Sequence, residues 1–317
     1  MELLGEAAAL AASILWTFTS LCFTYSSKRI GPLAVNLLRI LLAVGLLGLT
    51  HLVLLGTIIR ANEGQWGYLG LSGVIGLALG DLGYFGSLVI LRPRRATLLM
   101  AVNPIFSSIL GYLWLGEVLS VIAISGIAVT LAGVLLVVLE KEEKGAGRDE
   151  ALGPAQIDSK WLSPEKKWLG VLFGVIGSLG QGIGLVISKY GMINAKSADA
   201  LPLDPLSAAL IRMLGAALFF IVVMVVIRRM GNVRRSFGDR KGLGAMIAGT
   251  IIGPFLGVWV SMVAVSHADA GIAATLMSLM PVFVIPVVYV LYREKTSWRG
   301  ILGAFVAIVG VAMLLLL

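Results

Sequence analysis

The chain has 317 residues, of which 58% are hydrophobic and 13% charged, with a mean hydropathy of +0.98. Soluble globular domains carry about 25% charged residues, so a water-soluble enzyme is excluded. The net charge of +8 comes from short basic runs between apolar stretches, the pattern of membrane topology signals and not of a nucleic-acid surface.

One cysteine, Cys22, permits no intramolecular disulfide, and with only His51 and His267 beside it a Cys/His metal site is not expected. Stretches of about 20 apolar residues, each long enough to cross a bilayer, predict ten spans. The N-terminus, Met1 to Glu6, lacks the basic region of a signal peptide, so span 1 (7–25) is expected to stay in the membrane. Its Ser13, Trp16, Thr17, Ser20 and Thr24 fall within an arc of about 100°, a polar stripe suited to a wetted wall. Span 2 (33–55) carries Arg39 about 10 Å from its entry end. That arginine is either a gate or anion contact, or a helix-end anchor that snorkels.

Span 3 (66–90) has glycines at 73, 76, 80, 83 and 86, a small-residue face for close helix packing. It also holds Asp81 near its centre, where a carboxylate costs about 2.5–3.5 kcal/mol and should not face lipid. Candidate roles for Asp81 are proton carrier, partner of a cationic substrate group, or buried acid bonded to a neighbouring helix; Tyr84 shares its face. Span 4 (96–115) is interrupted by Pro104, which should kink it and leave Asn103 and Met100 either along the solute path or in a packed core. Glu117 follows, expected to complement the dipole of span 5 (119–139).

Residues 140–167 are hydrophilic, with Gly153-Pro154 and Ser163-Pro164, and read as a charged linker. Span 6 (168–187) offers Ser178 and Gln181 as candidate cavity groups, with Ser188 just beyond its end. Span 7 (205–227) carries Arg212, and span 8 (243–266) repeats the glycine theme at 249, 253 and 257. Span 9 (271–291) holds Met277 and Pro281, the second expected kink; Glu294 precedes span 10 (298–316).

Twenty Lys and Arg residues fall in the odd-numbered loops, against Arg60, Lys189 and Lys196 in the even ones. Basic residues are retained on the cytoplasmic side, so the linker is expected inside and both termini outside. Shifting the sequence by 177 residues pairs Gly76 with Gly253, Gly80 with Gly257, Met100 with Met277, Pro104 with Pro281 and Glu117 with Glu294. A shift of 173 pairs Arg39 with Arg212. Five spans per copy is odd, so the second copy should enter from the opposite side, the construction many secondary transporters use.

Pro, then Glu thirteen residues on, then two glycines seven apart, occurs as Pro104, Glu117, Gly126, Gly133 and again as Pro281, Glu294, Gly303, Gly310. With an Arg inside spans 2 and 7, this resembles the EamA-type branch of the drug/metabolite transporter superfamily. The resemblance implies an all-α integral membrane fold of ten transmembrane helices in two inverted repeats, 1–139 and 168–317. It also implies a central cavity lined by spans 1 to 4 and 6 to 9. A phosphate-binding loop and an H-E-x-x-H motif are absent from the sequence, and Asp81 is the one acid expected deep in a span, so an enzyme is not expected.

The expected function is alternating-access transport of a small organic solute, with export as the direction. A passive channel or lipid scramblase is the competing reading. The expected location is a prokaryotic cell membrane, with no cofactor, metal or nucleic acid as partner. In a Cys22→Ala background, Gly145→Cys and Phe237→Cys should be shielded from impermeant thiol reagents in intact cells, whereas Asn62→Cys should be labelled. Labelling at position 145 from outside reverses the orientation.

Overall fold

The computed structural model describes residues 3–57, 59–139, 167–193, 202–226, 233, 236–292 and 298–316. The expected linker lies outside these residues apart from Lys167, and so does Glu294. The described residues are helical with short connections. A bilayer core offers no water to backbone N–H and C=O groups, and a helix satisfies them within its own length. Among the described residues eight helices are long and apolar enough to cross a membrane. Large hydrophobic side chains face outward, Val53 and Val226 among them at 73% exposure, while Arg39, Arg212, Gln65 and several hydroxyls are buried.

The expected third and fourth spans are not among those eight. Helix Glu63–Ser72 continues as a π-helical segment, Gly73–Leu79, and then as Gly80–Met100. The backbone therefore stays helical through residues 91–95, where the sequence reading placed a loop. The break falls instead at Ala101 and Val102, ahead of helix Asn103–Leu110. A proline ring clashes with the carbonyl four residues earlier, and four residues before Pro104 is Met100, the last residue of the helix. The second copy does the same: helix Ala270–Met277 ends four residues before Pro281, and Met280–Tyr292 follows. Tight i→i+3 bonds bridge both breaks, Val102 N–H to Leu99 O at 3.2 Å and Leu279 N–H to Leu276 O at 3.3 Å. The two prolines thus end one helix and start the next, a sharper effect than a kink.

A π-helical segment recurs as Ile251–Gly257, with Pro254 inside it, between helices Arg240–Thr250 and Val258–His267. Each long π segment lies just before the position occupied by Asp81 in one copy and Val258 in the other. Such segments change the phase of a helix and widen it locally.

The glycine faces are contact surfaces. A Cβ on Gly76 would lie 3.2 Å from the Cα of Gly184, and one on Gly80 would lie 2.9 Å from the Gln181 side chain. In the other copy Gly257 meets Trp16 and Gly253 meets Thr19. The paired glycines of the repeated motif also meet: a Cβ on Gly303 would come 2.8 Å from the Gly133 carbonyl, joining helices Val121–Val138 and Trp298–Leu315. Small residues allow the close backbone approach that substitutes for a hydrophobic driving force between helices in lipid.

Gly184→Val, whose Cβ would lie 2.6 Å from the Cα of Gly76, should cost about 1–3 kcal/mol and lower the Tm of detergent-purified protein. Gly45→Ala, where no atom lies within 4 Å, should leave Tm unchanged or raise it.

Candidate functional site

Helices from both copies meet at a narrow cleft with room for about one water molecule. Trp16 enters it from the first helix, Leu4–Ile30, and Arg39 and Ile40 from Pro32–Leu55. Leu77 and Asp81 come from the third span. The second copy contributes Met213, on helix Pro205–Val226, together with Pro254 and Val258.

Asp81 is the chemical centre of the cleft. Its Oδ2 forms an ion pair with Arg39 Nη2, with side-chain exposures of 14% and 7%. Its Oδ1 accepts a hydrogen bond from Gln181 Nε2 at 3.2 Å, so three helices are tied to one carboxylate. The Arg39 guanidinium also lies over the Phe23 ring, 5.4 Å from its centroid. Tyr84, one turn on, interacts with the Asp81 charge.

Arg212 is held differently. It is 4% exposed, and its Nη1 reaches Ser188 Oγ at 3.5 Å and Met262 Sδ at 3.8 Å. Its Nε has no acceptor among the described residues, while its charge is felt at Asp81.

The hydroxyl stripe of the first helix bonds mainly to its own backbone. Ser13 donates to Leu10 O at 2.7 Å, Thr17 to Ser13 O at 2.9 Å, and Ser20 to Thr17 O at 2.7 Å. Of the stripe, Trp16 is the member that lines the cleft. Asn103 accepts a hydrogen bond from Ser107 at 3.2 Å and lies against Gly182. Met100 and Met277 are half-buried at the ends of their helices, beside the two breaks.

Two polar ties join the copies at their ends. At one, Arg29 pairs with Asp239 at 2.8 Å, and Asp239 caps helix Arg240–Thr250 through Gly242 N–H at 2.9 Å. The Arg29 hydrogen bond, with help from that cap, holds the Asp239 carboxyl below its ordinary range. At the other, Lys189 Nζ lies 2.5 Å from Glu117 Oε1 and donates to Ala268 O at 2.7 Å. Glu117 Oε2 accepts from Ala270 N–H at 2.9 Å. Glu117 thus caps the helix that begins at Ala270, not the fifth span as its sequence position suggested; Ser120 caps that span. Lys189, counted in the sequence as a loop base, is buried in this contact.

The EamA-like transporter family model matches residues 3–139 and again 168–316. The chain belongs to the EamA-like transporter family. No curated protein sequence matches it. A solved crystal structure superimposes with a TM-score of 0.72 over 98% of this chain and 96% of its own, at 15% identity, a likeness of fold alone. For this EamA-like chain the double match agrees with the repeat read from the sequence. The family and the apolar helices together make it an integral membrane protein of transporter type.

Removing one partner of a buried ion pair costs about 3–5 kcal/mol, because the other charge is left uncompensated. Arg39→Gln should therefore lower Tm sharply, and adding Asp81→Asn should recover most of the loss. Additive losses in the double variant would show that the two side chains act independently.

Proposed function

We propose that this protein is a secondary transporter that moves a small organic solute across the cell membrane by alternating access. Its ten spans form two five-helix repeats of opposite orientation, 1–139 and 168–317, with both termini outside and the linker in the cytoplasm. The observation that carries this reading is the buried Arg39–Asp81 pair in a cleft lined by both copies. A charged pair deep among transmembrane helices is costly to keep and marks a solute path more often than a packing device.

Three further features support it. The helix breaks before Pro104 and Pro281 occupy the same register in each copy. Discontinuous helices at matching positions of two repeats are typical of carrier binding sites. The interface of Gly76 and Gly80 with Gly184 and Gln181 is repeated by Gly253 and Gly257 with Thr19 and Trp16, so each copy offers a similar smooth surface for its partner to move on. The ties Arg29–Asp239 and Lys189–Glu117 close opposite ends of the bundle. In this reading the first is the cytoplasmic gate, exposed and easily broken, and the second is the buried outer gate. The narrow cleft between them corresponds to an occluded state.

Counterflow in proteoliposomes tests the proposal. Wild type should give saturable, solute-specific exchange, and the Arg39→Gln/Asp81→Asn double variant should fold yet lose it by at least about tenfold. Export is tested by comparing flux between the two orientations of insertion. Unsaturable flux, or movement of lipid in place of solute, would replace the carrier with a channel or scramblase.

A further inference from the structure

The two copies of the repeat differ most at the cleft. In the first, Arg39 meets Asp81, and Gln181 supports the carboxylate. In the second, Arg212 stands where Arg39 does, the position of Asp81 is taken by Val258, and Trp16 packs where Gln181 does. The arginine has been kept and its acid has not. Among the described residues no carboxylate lies at ion-pair distance from Arg212, whose contacts are a distant hydroxyl and a thioether. A buried guanidinium with no ion-pair partner among the described residues, and only the longer-range charge of Asp81 to offset it, is expensive, and the groups that repay it are anions held in bidentate geometry.

The guanidinium is not part of the cleft wall but stands near enough to it to interact with the charge of Asp81. Met262, which it touches, lies one turn beyond Val258 on the same helix, and Gly76, whose absent Cβ would lie 2.8 Å from Arg212 Nη2, precedes Leu77. Val258 and Leu77 both line the cleft, as does Met213 beside Arg212. Apart from Arg39 and Asp81, the cleft wall is apolar and includes the Trp16 ring. Asp81 sets one negative charge against the two guanidiniums of Arg39 and Arg212, so the charge left to be matched is positive.

We infer that the transported solute is an organic anion with an apolar body, whose carboxylate or similar group pairs with Arg212 in the place that Val258 leaves without an acid. This rests on the carrier reading and names its substrate class. The solute would complete the second ion pair, with its body against Trp16 and Val258. Widening of the cleft by helix movement would admit it, and pairing would close the bundle around it.

The tests use detergent-purified full chain and Tm. Arg212→Gln should keep or raise Tm, in contrast to Arg39→Gln, because it removes an unmatched charge. Val258→Asp supplies the acid from within and should be more stable than Val258→Asn, while Val258→Asp in an Arg212→Gln background should be less stable than either single variant. Benzoate and 4-methylpentanoate should raise wild-type Tm by about 2 °C or more. They should have no effect on Arg212→Gln or Val258→Asp, and benzylamine and isoamylamine should not act on wild type.

The inference is overturned if Arg212→Gln falls as far as Arg39→Gln, if only the amines stabilise wild type, if neither anion does, or if an anion still stabilises Arg212→Gln. Should Val258→Asp fail to fold, the Arg212→Gln comparison decides alone. Saturable counterflow of an amine would sink the anion assignment and leave the carrier standing; unsaturable flux would sink the carrier itself.

Discussion

A carboxylate in the middle of an apolar helix bundle has to be neutralised by something within reach, and much of the arrangement around the cleft follows from that requirement. Asp81 draws Arg39 from the second span and Gln181 from the sixth, so one acid joins both copies of the repeat. Water would dissolve such a pair into two hydrated ions worth little to stability. Inside the bundle each charge depends on the other, and losing either leaves a desolvated ion behind. The same dependence makes the pair suitable for transport, since a group that changes the local charge also changes which helices are held together.

Close packing is what brings the acid to its partners. Gly80, the residue before Asp81, allows its helix to approach Gln181 within van der Waals contact, and Gly76 allows the same against Gly184. A side chain at either position would hold the helices apart and move Gln181 out of range of the carboxylate. The π segment Gly73–Leu79 lies immediately upstream and alters the phase at which Asp81 leaves the helix. Glycine and π geometry serve one end here: a polar group is delivered to the interior while the helix keeps its backbone hydrogen bonds.

The second copy uses the same scaffold with different chemistry. Its π segment, glycines and proline break lie in matching register, yet Val258 and Trp16 replace the acid and the amide. Symmetry of backbone with asymmetry of side chains is the combination that the proposed alternating carrier would use, two halves of similar shape with the Arg39–Asp81 pair in the cleft between them. The end ties differ in the same spirit: Lys189–Glu117 is buried, whereas Arg29–Asp239 is open to solvent and therefore weak and screened by salt.

Composition, apolar periodicity and the double occurrence of Pro104/Pro281 and Gly126/Gly133 with Gly303/Gly310 were enough to determine a helical membrane protein built from a repeat, because those signals are local and set by the solvent. Asp81, Arg39 and Arg212 also stood out without any structure, since a charge inside an apolar run is conspicuous. Which charges meet was a different matter. The pairing of Asp81 with Arg39 and Gln181 and the burial of Lys189 against Glu117 join residues 42 to 100 apart in the chain, and no acid among the described residues forms an ion pair with Arg212. No spacing rule reaches that far. The helix continuing through residues 91–95 was likewise invisible, because a basic run between apolar stretches usually marks a loop. Local sequence decided what could lie in the membrane; the tertiary structure alone decided which polar groups found partners there.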